Sequence, residues 1–323
     1  MWLFFKSKRW ALWAYLGTAV ILGTLWFQVQ IDVQINEWFG SFYNMIQTAL
    51  ATPNSVTMAE YFSGLADFGK LAALWVALGL GGSFITSHYL FRWRQSMVDW
   101  YHSVYKKARD IEGASQRVQE DTIKFSRIVE GLGVSLIESV MVLVEFFPIL
   151  LVLGTGVSVL YFGDWEYGLV TGALLWSVGG TLLLIGTGWV LRLVGIEYDI
   201  QAKEAAYRKL LVKYEDDGNV RPKHLGELFD DVRKIHFASY LQYLKFNVVR
   251  MAYLQANVLT AYIFLAPAIV AGAISLGVMQ QIIRAFGRVE GSMQFILKSW
   301  PQVIELISVY KRLREFERKI NRG

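Results

Sequence analysis

Three carboxylates, Glu130, Glu138 and Glu145, stand in the stretch EGLGVSLIESVMVLVEFFP at 130–148, which is otherwise dominated by Leu, Ile, Val, Met and Phe. An ionised carboxylate at the centre of a bilayer costs roughly 2.5–3.5 kcal/mol on insertion scales, so acids kept in such a segment point to proton exchange or to buried ion pairing. On a continuous helix Glu138 lies about 80° and Glu145 about 60° round from Glu130, giving one acidic face spread over roughly 22 Å. Glu112, 18 residues before Glu130, continues that stripe by five turns. Burial and a neighbouring acid both favour the neutral carboxyl, the condition for exchanging protons near physiological pH, and Glu130 and Glu138 are read in that way. Glu145, close to Pro148, serves equally well as a snorkelling interfacial residue.

A second acidic set, Glu197, Asp199, Glu204, Glu215, Asp216 and Asp217, follows further along the chain. For Glu197, Asp216 and Asp217 the preferred reading is ion pairing with Arg117, Arg127, Arg192 and Arg208 that fixes helix register. The aromatic stripe Tyr240, Tyr243, Phe246 and Tyr253 reads as bundle packing or interface belt. A cavity lined by acids and aromatics would nevertheless suit a cationic, partly apolar substrate.

The elements that must position these side chains are membrane helices. Of 323 residues, 54% are hydrophobic, 15% aromatic and only 18% charged, below the roughly 25% usual in soluble domains. Six apolar segments have about the 20 residues needed to cross a ~30 Å hydrocarbon core. They are expected near 10–31, 65–91, 132–160, 167–196, 244–276 and 278–309. The sixth carries Arg284, Arg288, Glu290, Lys298 and Glu305 and is expected to face protein or water inside a bundle. The fold class is therefore an all-α polytopic membrane protein, a single transmembrane domain over 1–323.

Lys and Arg alternate between connections. They are dense before the first span, in the cytoplasmic loops 92–130 and 197–243 and after Tyr310, and absent from 32–69, from 154–165 and from 272–281. The positive-inside rule then puts both termini and the two long loops in the cytoplasm. Those loops have few Gly or Pro and keep helical spacing, as at Val98, Tyr101, Tyr105 and Ala108, so they read as spans continuing beyond the membrane and returning. Long stalks of this kind are the pattern of the membrane half of ABC exporters. The basic, apolar N-terminus reads as an uncleaved first span, its apolar run being too long for a signal peptide.

Several chemistries lack their residues. No G-x-x-x-x-G-K-[ST] follows the sixth span, so ATP hydrolysis by these residues is not expected. The four histidines, His88, His102, His224 and His236, have no metal-ligand spacing, Cys is absent, and no Ser, His and Asp arrangement suggests a hydrolase. No enzyme activity, cofactor, metal or nucleic-acid partner is expected. Glycines such as Gly79, Gly81, Gly82, Gly131 and Gly133 fit close helix packing better than phosphate binding.

Five blocks carry a resemblance: SHYLFRWRQSM (87–97), IEGASQRVQEDTIKFS (111–126), EAAYRKLLVKYEDD (204–217), LGVMQQIIRAFGRVEGSMQFILKSW (276–300) and LISVYKRLREFE (306–317). They resemble the SbmA/BacA peptide transporters of bacterial inner membranes, from about Arg9 to the end of the sequence. The resemblance implies an ABC-exporter-like membrane fold without a nucleotide-binding domain, in a homodimer, domain-swapped. It also implies import of peptides and peptide-like antibiotics through the lipid bilayer, driven by protons. By motif match, the glutamates that couple protons in that family fall on Glu120, Glu130, Glu204 and Glu215, with Glu138 added from the reading of the residues. Glu112, Arg117, Tyr207 and Arg312 are expected to line the substrate cavity or to pair with the acids. The alternatives are a membrane subunit of an ABC transporter with a separate ATPase chain, and an envelope scaffold that transports nothing.

Overall fold

The computed structural model describes residues 3–108, 114–217 and 222–322, and over these the regular structure is helical, joined by turns and loops, with one isolated bridge between Val159 and Gly163. In chain order the helices are α1 (Leu3–Lys6), α2 (Ala11–Ala51), α3 (Met58–Ser103), α4 (Tyr105–Ala108), α5 (Ala114–Gln116), a π-helical turn (Arg117–Asp121) and α6 (Thr122–Gly154). They continue as α7 (Gly168–Val190), α8 (Leu193–Asp217), α9 (Pro222–Val270), α10 (Leu276–Met293), α11 (Phe295–Lys298) and α12 (Trp300–Arg322). The chain divides into two compact units, Met1–Leu174 with Phe264–Gly323, and Leu175–Ile263. The division falls inside α7 and α9.

Among the described residues, α2, α3, α6 with its preceding π turn, α7, and α9 from Leu225 onward are long and apolar enough to cross a membrane, five in all. With 41 and 46 residues, α2 and α3 run for roughly 60–70 Å, about twice the hydrocarbon thickness. Several bounds differ from those expected. α2 does not stop at Ile31 but continues to Ala51, so Asp32 lies in mid-helix instead of opening a loop. The stretch 278–309 is not one helix: α10 ends at Met293, its last turn closed by Gln294 N–H donating to the Glu290 carbonyl, and α12 starts at Trp300. α10 is not one of the five long apolar helices.

In the first unit, α2 and α3 form a hairpin. Thr57 and Glu60 make a reciprocal capping box at the start of α3: Glu60 N–H donates to Thr57 Oγ1 at 3.2 Å, and Thr57 N–H donates to Glu60 Oε2 at 2.8 Å. These contacts satisfy amides that a helix start otherwise leaves open. Lower in the hairpin Phe4, Ala14, Ile21, Leu25, Tyr89 and Leu90 form a buried cluster, and Tyr89 lies so close to Gly17 that a Cβ there would come within 2.6 Å of its ring.

α10 packs against α2 and α6. At Gly277 a Cβ would overlap the Gly40 carbonyl oxygen, so glycine at this crossing lets the two backbones meet. A second cluster, Met97, Tyr101, Ala114, Val118, Phe125, Val309, Leu313, Phe316 and Ile320, seats α12 against the end of α3 and the start of α6.

The second unit is a long antiparallel pairing of α7 and α8 with α9. Trp176 stacks on Tyr253 with centroids 5.5 Å apart, its indole N–H donates to Asn257 Oδ1 at 2.8 Å, and Tyr253 covers Gly180. Further along, Lys203 meets Asp231 and Tyr207 meets Phe229, so the register persists into α8. Between α7 and α8 the backbone breaks at Arg192, whose φ of 51° is left-handed.

Candidate functional site

The glutamates of α6 stand in different environments. Glu130 is half-buried, and its Oε1 accepts a hydrogen bond of 2.6 Å from the Ser87 hydroxyl of α3, which ties the two helices at this level. Glu120, in the π turn, pairs with Lys124 at 2.7 Å one turn on, with both side chains nearly half exposed. Glu112 lies outside the described residues.

Glu204, in the second unit, meets His236 Nε2 at 3.1 Å, next to the Lys203–Asp231 pair at 2.8 Å. Tyr207 packs on Phe229 with centroids 5.6 Å apart. Glu215 lies in α8, and its side chain is outside the described residues.

Arg117 and Arg312 meet on a residue that the sequence reading did not single out, Asp121. Its carboxylate, 3% exposed, accepts from Arg117 Nη1 at 2.8 Å and from Arg312 Nε and Nη2 at 3.1 and 2.9 Å. The fork of α12 is thereby bidentate, the strongest geometry for such a pair. Asp121 precedes the apolar part of α6. Burial pushes its carboxyl up, but hydrogen bonds from Arg312 and Arg117 outweigh this and hold it below the usual carboxylate range. Beside it Thr122 accepts from Arg94 Nε at 3.3 Å, and Tyr101 donates to Glu317 at 3.2 Å, so polar contacts reinforce the apolar seat of α12.

The second constellation missed in the sequence lies between α2 and α10. Asp32, Asn36, Gly40 and Asn44 recur every four residues on α2, with Gln47 a turn further. This polar stripe meets α10 along its length. Gln47 Oε1 accepts from Leu276 N–H at 2.7 Å and Asn44 Oδ1 from Gly277 N–H at 3.0 Å, while Ser275 caps Val278, so the first amides of α10 are satisfied in an apolar setting. Gln281 lies over Gly40. Asp32 ends the stripe, accepting from Arg284 at 3.1 Å and from Arg288. Its side chain is 6% exposed, while those of Arg284 and Arg288 are 27% and 31% exposed.

Arg284 also covers the Phe39 ring at 4.9 Å. Glu138 is half-buried on α6, a helix that packs against α10. The signal for this site was the i, i+4 recurrence of polar residues in an apolar helix, matched by Arg284 and Arg288 at the same spacing on α10.

Long helices that exceed the bilayer, half-buried acids on their inner faces and a polar helix packed among them define a membrane protein with a charged interior. A model of the SbmA/BacA-like family matches residues 7–321, and the chain belongs to that family. It is 22% identical to the inner membrane ABC transporter ATP-binding protein YddA of Escherichia coli (strain K12), over 98% of this chain and 58% of that protein. It is 23% identical to the uncharacterized ABC transporter ATP-binding protein sll0182 of Synechocystis sp., over 98% and 47%, and 24% identical to ABC transporter D family member 2, chloroplastic, of Arabidopsis thaliana, over 70% and 33%. The chain thus spans about half the length of the first two of these relatives.

Proposed function

We propose that this chain is the membrane-spanning transport domain of a proton-driven carrier of the bacterial inner membrane, importing peptides and peptide-like antibiotics as a homodimer with six spans per subunit. The termini lie in the cytoplasm, and the cavity opens in turn to either side. Proton binding at Glu130 and Glu204, assisted by Glu120, Glu138 and Glu215, biases which side is open. A proton shifts such an equilibrium only if the site binds it differently in the two states, and a ~2-unit difference in pKa supplies about 2.7 kcal/mol per site.

The observation that carries this reading is Glu130, a half-buried acid of an apolar helix held, among the described residues, by the neutral hydroxyl of Ser87 and by no salt bridge. A hydroxyl can donate to a carboxylate and accept from a carboxyl, so the contact survives a change of protonation. Membership of the SbmA/BacA-like family supports the transport reading.

The test is uptake of a fluorescent cationic peptide into proteoliposomes under an imposed pH gradient, native protein against Glu130→Gln. Gradient-dependent uptake that the substitution abolishes, with the protein folded, is the expected result. Uptake indifferent to the gradient refutes proton coupling.

One observation favours a second reading: the relatives named above include two ATP-binding proteins that are about twice as long as this chain. On that reading the chain is the membrane half of an ATP-driven transporter whose ATPase lies elsewhere. It then moves substrate only when that ATPase and ATP are supplied.

A further inference from the structure

We propose that the end of the α2–α3 hairpin beside α1 binds an anionic phospholipid, with its phosphate held by Arg92 and an acyl chain laid along the outer face of the hairpin. The site is built on one contact. The Arg92 guanidinium lies over the ring of Trp13, 3.7 Å from its centroid, well inside the ~6 Å within which such pairs attract. One turn back on α3, His88 Nδ1 is 3.3 Å from Arg92 Nη1, and the Phe84 ring meets the imidazole with centroids 4.5 Å apart.

A guanidinium fixed in this way suits an anion. It carries five N–H donors in a planar fork, and a phosphate takes two of them side by side. Among the described residues only Nη1 is engaged, by His88, and Arg92 has no carboxylate partner. Because Trp13 and His88 already hold the fork, little side-chain freedom is lost when it binds.

The acids nearby have other partners. Asp99 pairs with Arg9 at 3.3 Å. Glu130 is bonded to Ser87, which lies about 140° round α3 from Arg92. Basic groups are in excess: Lys6, Lys8 and Arg9 are exposed on the segment that Phe4 anchors against Tyr89 and Trp93, with ring centroids 5.3 and 6.0 Å apart. Lys, Arg and Trp together are the residues enriched where a span meets the headgroups, and clustered positive charge there attracts anionic lipids.

A lipid fits better than a soluble phosphate because of what adjoins Arg92. Trp13, Leu16 and Val20 share one face of α2 and are exposed, as is Phe84 on α3. From the level of the guanidinium they extend roughly 10–12 Å along the two helices, about a third of the ~30 Å hydrocarbon core. This apolar wall is left bare by a free phosphate and covered by an acyl chain. The site needs no transport cycle, so it stands apart from the transport reading above.

The test is native mass spectrometry of the full chain in detergent, titrated separately with phosphatidylglycerol, phosphatidylcholine and inorganic phosphate. The native protein should bind phosphatidylglycerol about fivefold to tenfold more tightly than Arg92→Gln does. Phosphatidylcholine, whose choline brings a positive charge towards Lys6 and Lys8, should bind both weakly and alike. Arg92→Lys, which keeps the charge and loses the fork, should fall between native and Arg92→Gln, and Trp13→Leu should weaken phosphatidylglycerol binding in the same direction. Arg314→Gln, which changes an exposed arginine of α12, should leave it unchanged. Equal phosphatidylglycerol affinity in native and Arg92→Gln, a loss matched by Arg314→Gln, or Arg92-dependent binding of inorganic phosphate as tight as that of the lipid overturns the proposal.

Discussion

Replacing Asp121 by Asn tests whether α12 is fastened to the start of α6 by charge. The carboxylate is 3% exposed and accepts three hydrogen bonds from two guanidiniums. Asparagine keeps the shape but offers one neutral acceptor, leaving Arg117 and Arg312 facing each other. Removing one partner of a buried pair costs about 3–5 kcal/mol. Arg117 and Arg312 remain 27% and 34% exposed and regain part of their hydration, which lowers the expected loss to about 2–3 kcal/mol.

The assay is equilibrium unfolding in mild detergent followed by the fluorescence of the 12 tryptophans. A double-mutant cycle with Arg312→Ala isolates the pair, and a coupling above about 1 kcal/mol is expected. A loss below about 0.5 kcal/mol, or strict additivity of Asp121→Asn and Arg312→Ala, would show that no buried charge pair fastens α12, because a solvated pair behaves that way.

The same carboxylate gives a pH dependence. Its folded pKa lies below the ordinary value, so its stabilisation is fully present above the unfolded value near 3.9 and is lost as pH falls through the folded one; unfolding curves from pH 7 to pH 3 should show that loss in the native protein and a smaller one in Asp121→Asn. Gly277→Ala drives a Cβ into the Gly40 carbonyl and should cost about 1–3 kcal/mol, whereas Gly287→Ala, with open space around it, should be neutral or stabilising by up to about 1 kcal/mol; thermal melts of the two variants decide. Glu204→Gln breaks a partly exposed contact to His236 and should change stability by less than about 1 kcal/mol. Gradient-driven uptake by that variant should nevertheless fall well below native, and uptake at the native level would remove Glu204 from the coupling scheme.

The helical class was legible because long apolar runs leave the backbone no other way to satisfy itself in lipid. The acidic face of α6 was legible because carboxylates are rare in such runs. The length of α2 was not: Asp32 reads as the start of a loop when hydropathy alone is followed, and its arginine partners lie 252 and 256 residues away. The polar stripe Asp32, Asn36, Gly40 and Asn44 is visible once a period of four is sought, although nothing local says that it faces α10. Asp121 was overshadowed by its neighbour Glu120, and only the packing of α12 shows that Arg117 and Arg312 converge on the aspartate. The break between α10 and α12 was hidden because the sequence there keeps helical composition throughout. The π turn at Arg117–Asp121 likewise left no composition signal.

Transport through this chain is proposed to run on a proton gradient. Its most direct test is uptake of a fluorescent cationic peptide into proteoliposomes of the purified protein, without nucleotide, before and after a protonophore collapses an imposed pH gradient. Accumulation should stop on collapse. Uptake that persists after collapse, or that starts only when an ATPase and ATP are added, would contradict it.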